Sequence, residues 1–333
     1  MQTKLTPGKQ RGLEACADDR GVIAAAAMDQ RGLLKNMMIK ALGGKNPTDE
    51  QMSEFKEVVA RNVTTGASAI LLDVSYGLAA TKNINGKGLL LAYEKAGYSP
   101  DKPEKIPTLT EGWSAMRIRE AGGDAVKILV YYNPFEAEWV NNEKRAWLER
   151  VGAECKAVDI PYFLEFLTYG LNGEDESSAE FAKKKPEIVI RTIEEFTSER
   201  YGADVLKLDV PINAHYVSGM QCFKGTEVYT RDEAKKLVKE AADKTDRPIV
   251  YLSAGVTNAT FIETLEMAAE AGVEFHGVLA GRATWQEGVP AYINGGPDAL
   301  DAWMKTEGAA NIQRINETMR LAKPWYTAKS VRA

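Results

Sequence analysis

The feature that most constrains this chain is an alternation. Short apolar runs of strand length take turns with longer segments that carry helical spacing and charge, the pattern of a parallel sheet covered by helices. Eight runs can be counted, at residues 22–29, 69–73, 88–94, 125–132, 161–169, 205–210, 249–255 and 277–282. Helices are predicted between them at 49–65, 111–121, 139–156, 178–201, 230–243 and 258–271, and after the last run at 297–321. Thr48, Asn258, Gly122 and Gly272 stand at helix ends as capping residues.

Eight βα units fit a closed (β/α)8 TIM barrel of the α/β class better than an open doubly wound sheet, because no GxGxxG or GxxxxGK[ST] turn follows the first run. The second unit is short of a long helix, with only residues 76–82 before Gly88. A length of 333 residues is within reach of one such barrel, and no repeat or Gly/Ser/Pro-rich linker divides the chain. The expectation is one barrel domain over residues 1–333, with a short N-terminal helical extension (about 1–20) and a C-terminal helix and tail (about 297–333).

Charge and cysteine usage narrow the partners. Lys and Arg total 42 against 47 Asp and Glu, a formal charge of −5 with no basic tail or acidic block, so nucleic acid is not an expected partner. No apolar run approaches the roughly 18 residues that span a bilayer. Residues 1–21 are polar, without a stretch of signal-peptide type. A soluble, cytoplasmic protein with no membrane partner is expected. Cys16, Cys155 and Cys222 lack CxxC spacing, and His215 and His276 are too few for a His-rich site, so no metal is expected.

Strand parity then singles out polar residues. Successive side chains alternate faces, and barrel strands turn their branched residues outward to the helices. In AVKILVYY (125–132), Val126, Ile128 and Val130 form the outward set and leave Lys127 inside. In PYFLEFL (161–167), Tyr162, Leu164 and Phe166 leave Glu165 inside, and in VLKLDV (205–210), Leu206, Leu208 and Val210 stand opposite Lys207 and Asp209. By the same logic Asp29, Asp73, Ser253 and Arg282 close their runs at the end where a barrel holds its site. A charge inside an apolar strand is costly unless paired or placed in a cavity. Two lysines converging with carboxylates suit carbonyl chemistry, because a lysine crowded by another cation and partly desolvated becomes a nucleophile. A structural ion pair filling the barrel is the alternative. Ser253-Ala254-Gly255 and Gly281-Arg282, after the seventh and eighth runs, offer small residues, backbone N–H groups and a guanidinium where barrels often hold phosphate; a turn with a surface arginine is the plainer reading.

These segments resemble a known family. AMDQRG (27–32), ILLDVSYGL (70–78), GLLLAYEKAGY (88–98), AVKILVYY (125–132), FLEFLTY (163–169), DVLKLDVP (204–211), YLSAG (251–255) and GVLAGRATW (277–285) together resemble the bacterial class I tagatose 1,6-bisphosphate aldolases of the tagatose 6-phosphate pathway, from about residue 10 to residue 325. The resemblance implies reversible, metal-free and cofactor-free cleavage of a ketohexose 1,6-bisphosphate into dihydroxyacetone phosphate and glyceraldehyde 3-phosphate. It places Lys207 as the Schiff-base lysine, Lys127 as a second active-site lysine, Glu165 as the proton-transfer carboxylate and Asp29 as a substrate-orienting carboxylate. Gln30, Ser253, Gly255, Gly281 and Arg282 match positions around substrate hydroxyls and phosphate. Asp209 departs from the Glu expected there, one methylene shorter.

Other readings stay open. A related class I aldolase acting on fructose 1,6-bisphosphate or sulfofructose 1-phosphate would share the barrel and lysine, and loose selectivity at C3 and C4 is expected. A catalytically silent sugar-phosphate-binding regulator is the alternative of another class. Homo-oligomers are common among such barrels. His215 and His276 read as solvated or hydrogen-bonded, the cysteines as inert thiols, and Lys183, Lys184 and Lys185 as a solvated helix face. The six tryptophans read as packing between helices and barrel, and residues 170–178 as either a lid or a plain surface loop.

Overall fold

The apolar runs become strands β1 (Ile23–Met28), β2 (Ala69–Asp73), β3 (Gly88–Ala92), β4 (Ala125–Tyr131), β5 (Tyr162–Leu167), β6 (Val205–Leu208), β7 (Ile249–Leu252) and β8 (Gly277–Ala280). All pair in parallel with their chain neighbours, and β8 pairs back onto β1 to close the barrel. The computed structural model describes residues 4–98 and 104–332. Residues 1–3 of the expected extension and residue 333 of the expected tail lie outside the described residues.

Strand parity explains why these segments close on themselves. Val126, Ile128 and Val130 of β4, Tyr162, Leu164 and Phe166 of β5, and Leu206 and Leu208 of β6 join helix residues such as Val59, Leu148, Ile193 and Phe261 in one outer cluster. Ala25, Ala27, Leu71, Leu90, Phe163, Val205, Val250 and Leu279 form a second cluster inside the barrel. Both faces of every strand are thereby removed from water, as an all-parallel sheet requires.

The helices are α1 (Pro7–Cys16), α2 (Gly32–Ala41), α3 (Asp49–Val63), α4 (Ala115–Glu120), α5 (Glu138–Val158), α6 (Ala179–Phe196), α7 (Arg231–Ala242), α8 (Asn258–Glu270), α9 (Arg282–Trp285), α10 (Val289–Trp303) and α11 (Ala309–Thr318). Thr48 with Gln51, and Thr230 with Glu233, form reciprocal capping boxes at α3 and α7. Four features depart from the sequence reading. The cap of α8 is Thr257, accepting from Thr260 N, and Asn258 is instead its first helical residue. Helix α2 has no predicted counterpart. The 111–121 helix is cut to α4, whose start is set by Ser114 accepting from Arg117 N. The single C-terminal helix at 297–321 is instead α10, a π turn at Met304–Gly308 and α11. Helix α10 kinks at Gly296, where φ is 70°; the following Pro297 cannot donate a helical hydrogen bond.

Helix α1 and the chain end plug the N-terminal mouth of the barrel. Leu13 and Cys16 join Trp325, Ala328 and Val331 against the inner cluster, and Lys9 Nζ reaches both carboxylate oxygens of Asp204 at 2.8 Å. The opposite mouth, at the strands' C-terminal ends, is left for the site. Among the described residues no helix is long and apolar enough to cross a membrane.

Candidate active site

At that mouth lies a cavity of about 710 Å³, and Asp29, Gln30, Lys127, Glu165, Lys207, Ser253, Gly255, Gly281 and Arg282 all line it. The barrel register brings its centre together. Glu165 and Lys207 are direct partners across the β5–β6 ladder, so their side chains leave the same face side by side. The small Ala27, two residues before Asp29, and the apolar Leu129, Leu252 and Leu279 also line the cavity.

Glu165 Oε2 bridges the two lysines, 2.9 Å from Lys207 Nζ and 2.8 Å from Lys127 Nζ. Lys127 also reaches Asp29 Oδ2 at 2.7 Å and Glu94 Oε1 at 3.2 Å, and Arg31 meets the same Glu94 oxygen at 3.5 Å. Three cations, Lys127, Lys207 and Arg31, thus face three carboxylates, Asp29, Glu94 and Glu165, and all six side chains are buried. Burial alone would raise Asp29, yet the charges of Lys127 and Lys207 outweigh it and hold the carboxyl well below its ordinary range. Burial would likewise lower Lys127, but Asp29, Glu165 and Glu94 overcome it and keep the ammonium protonated. Glu94, by contrast, is raised by burial in spite of its two cationic neighbours.

A second corner is built from backbone after β7 and β8. Ala254 and Gly255 have φ of 48° and 79°, folding the turn back toward Arg282. A Cβ on Gly255 would fall 2.3–2.4 Å from the guanidinium of Arg282, and one on Gly281 would fall 2.9 Å from Gln30 Nε2. Both glycines are therefore required by close approach. Burial lowers the half-buried Arg282. Among the described residues no carboxylate lies within 4.0 Å of it, leaving its donors available to an anion. Asp29 Oδ1 and Gln30 Oε1 are buried without a partner among the described residues, so both can accept from a ligand's hydroxyl groups.

Several polar residues depart from the sequence reading. Ser253 and Arg282 reach the cavity from beyond their strands, which end at Leu252 and Ala280. Asp73 does not line the cavity; its carboxylate is taken by Lys56, which comes from α3 outside the barrel. Lys185 is not solvated with its two neighbours but turns inward to Asp209 Oδ2 at 2.7 Å and lines the cavity. Trp139 is 57% exposed rather than packed. His276 is buried, its Nδ1 accepting from Ile249 N at 3.0 Å, and His215 Nδ1 lies 2.9 Å from Cys222 O. Glu94 and Arg31 were not singled out from the sequence. The inward parity of Leu90 and Ala92 carries on to Glu94 and is the signal that could have found it; Arg31 leaves no such trace, since it follows the strand. Among the described residues no three His, Cys, Asp or Glu side chains gather as metal ligands.

A closed (β/α)8 barrel whose mouth holds two buried lysines around one carboxylate is built for lysine-dependent carbonyl chemistry. The chain belongs to the DeoC/LacD family of aldolases, which matches residues 23–287. It is 48% identical over 326 residues to a tagatose 1,6-diphosphate aldolase of Listeria monocytogenes, covering 97% of this chain and 95% of that one. It is 45% identical over 319 residues to tagatose 1,6-diphosphate aldolase 1 of Enterococcus faecalis, covering 95% and 96%. Among solved structures, fructose-bisphosphate aldolase from Plasmodium falciparum superposes with a TM-score of 0.69 at 14% identity, over 96% of this chain and 97% of that one, a likeness of fold.

Proposed function

We propose that the chain is a class I, Schiff-base aldolase that reversibly cleaves tagatose 1,6-bisphosphate to dihydroxyacetone phosphate and glyceraldehyde 3-phosphate, with loose selectivity at C3 and C4. The observation that carries this reading is the buried Lys207 held 2.9 Å from Glu165 at the floor of the cavity. The names of the relatives at 45–48% identity support the sugar.

In the proposed mechanism Glu165 takes a proton from Lys207, and the freed amine attacks the C2 ketone. Glu165 returns the proton to the carbinolamine hydroxyl, which leaves as water and gives an iminium. Glu165 then accepts the proton of the C4 hydroxyl as the C3–C4 bond breaks. The bonding electrons pass to the iminium nitrogen, forming an enamine and releasing the aldehyde. The proton held by Glu165 passes to C3 of the enamine, and addition of water to the resulting iminium frees dihydroxyacetone phosphate and returns Lys207 and the ionised Glu165. Lys127 stays protonated and holds a substrate oxygen, Asp29 and Gln30 orient hydroxyls, and Ser253, Gly255, Gly281 and Arg282 hold a phosphate.

The partners we propose are the sugar bisphosphate and its triose products, with neither nucleic acid nor membrane, and a homo-oligomeric assembly. We place the enzyme in the cytoplasm, where the three free cysteines fit a reducing compartment. The test is incubation with dihydroxyacetone phosphate, borohydride reduction and peptide mass spectrometry. An adduct on Lys207 is expected, and its absence from folded protein would overturn the reading. Rates on tagatose 1,6-bisphosphate, fructose 1,6-bisphosphate and sulfofructose 1-phosphate then rank the sugars.

A further inference from the structure

We propose that Lys56, on a helix outside the barrel, is a positioning residue for the reaction: it clamps the two carbonyls that flank Asp29 and so aims that carboxylate into the cavity. The proposal rests on the aldolase reading above. Lys56 belongs to α3 and is fully buried, with its ammonium in the seam between the ends of β1 and β2. It donates to Met28 O at 2.7 Å and to Gln30 O at 3.0 Å, and it is ion-paired with the fully buried Asp73. Three protons meet three acceptors, so the ammonium is satisfied. Asp73 is anchored in turn, its Oδ1 accepting from Ser75 N at 2.9 Å and Tyr76 N at 2.8 Å.

The clamp acts where the strand no longer does. The β1–β2 ladder ends at Met28 opposite Leu72, and α2 begins at Gly32 without a side-chain cap, so residues 29–31 lie between two regular elements. That short turn carries Asp29 to Lys127 at 2.7 Å, Gln30 against Gly281 and Arg31 to the backbone of Glu94 at 2.9 Å. Each peptide unit is planar. Holding Met28 O fixes the peptide plane that enters Asp29, and holding Gln30 O fixes the plane one residue beyond the one that leaves it, so the turn is pinned on both sides of Asp29 and the direction in which its side chain leaves is limited.

The fold alone does not call for a charge at this place. Lys56 is flanked on the buried side of α3 by Met52, Phe55, Val59 and Val63. A buried ion pair is often no more stabilising than well-packed apolar side chains of similar volume. What an apolar side chain could not do is hold two carbonyls at the edge of the cavity.

The test compares Lys56→Met, Asp73→Asn and Lys56→Met/Asp73→Asn, and places Lys56→Met in an Asp29→Asn background. Melting temperature, kcat, KM and borohydride trapping are read for each. Lys56→Met strands a buried carboxylate and is expected to lower both Tm and kcat. The double variant removes both charges, while the new amide oxygen can still accept from Ser75 and Tyr76. It is expected to regain only part of the lost Tm, because the carbonyls of Met28 and Gln30 still lack their donor, and to remain at least about tenfold down in kcat. Asp73→Asn, which leaves the lysine on both carbonyls, is expected to lose Tm and stay within about threefold of normal kcat. In the Asp29→Asn background Lys56→Met is expected to add less than about a twofold loss, because residues acting through one another are not additive. Recovery of kcat together with Tm, an Asp73→Asn loss of kcat equal to that of Lys56→Met, or full multiplication of the loss with Asp29→Asn would each overturn the proposal. A folded wild-type protein that neither traps dihydroxyacetone phosphate nor cleaves would overturn the aldolase reading, and this proposal with it.

Discussion

Lys127 and Lys207 share a single carboxylate oxygen, Oε2 of Glu165, at 2.8 and 2.9 Å, yet their surroundings differ. Lys127 is also held by Asp29 and Glu94, whereas among the described residues Lys207 has Glu165 as its ion-pair partner. The lysine with one partner is the one that can leave its pair and attack. Lys207→Met is expected to abolish cleavage and the borohydride adduct together; full activity in this variant would remove the nucleophile from the mechanism.

In the proposed mechanism Glu165 moves protons rather than gripping the substrate. Glu165→Gln keeps the side-chain size and a hydrogen-bonding oxygen while removing the base. Turnover is expected to fall by about 10²-fold or more with ligand affinity largely kept, the split expected for lost acid–base catalysis. Steady-state kcat beside direct binding of dihydroxyacetone phosphate checks it, and a loss confined to KM would count against the role.

Gly255 offers a test of the phosphate corner. Its φ of 79° already disfavours a side chain, and an added methyl would meet the Arg282 guanidinium. Gly255→Ala is expected to displace Arg282 and raise KM for phosphorylated substrate by roughly tenfold, the scale of one charge-assisted hydrogen bond to an anion. Arg282→Ala should produce a similar loss, and the pair together little more than either alone. Independent, multiplying losses would separate the glycine from the arginine.

Much of this site was legible from strand parity. Lys127, Glu165 and Lys207 stand at inward positions between outward branched residues; the barrel register sets Glu165 beside Lys207 and places Lys127 two residues before Leu129, the β4 partner of Glu165, on the same inward face. Parity also pointed Asp73 inward, but its carboxylate is claimed by Lys56 from α3. A pairing across the barrel wall between residues 17 apart in the chain has no periodic trace. Lys185 was hidden by Lys183 and Lys184, because three consecutive lysines do not tell which one the helix turns inward. The kink inside α10 was written in Gly295-Gly296-Pro297, whereas α2 lacks an N-cap side chain to announce it.

The Schiff-base reading also predicts the effect of chelation. The iminium on Lys207 is the electron sink in this mechanism, so EDTA is expected to leave the rate unchanged. Activity lost in EDTA and restored by Zn²⁺ would instead favour a metal-dependent aldolase.

His276 couples stability to pH at the other end of the barrel. Its Nδ1 accepts from Ile249 N at 3.0 Å, its backbone N–H donates to Ile249 O at 2.7 Å and its carbonyl accepts from Ile23 N at 3.0 Å, so it ties β7, β8 and β1 together. Burial pushes the imidazole down to about 4 from an ordinary 6.5. Between these values the unfolded chain binds a proton that the folded one refuses, so folding stability falls as pH drops below about 6.5. The lowered pKa corresponds to a loss of about 2 kcal/mol between pH 7.5 and pH 5. His276→Asn keeps an acceptor for Ile249 N but no titrating ring. The wild-type stability advantage over this variant is therefore expected to shrink by about that amount between pH 7.5 and pH 5, measured by denaturant unfolding at each pH. Parallel stability curves for the two proteins would mean that His276 takes up its proton in the folded chain near its ordinary value.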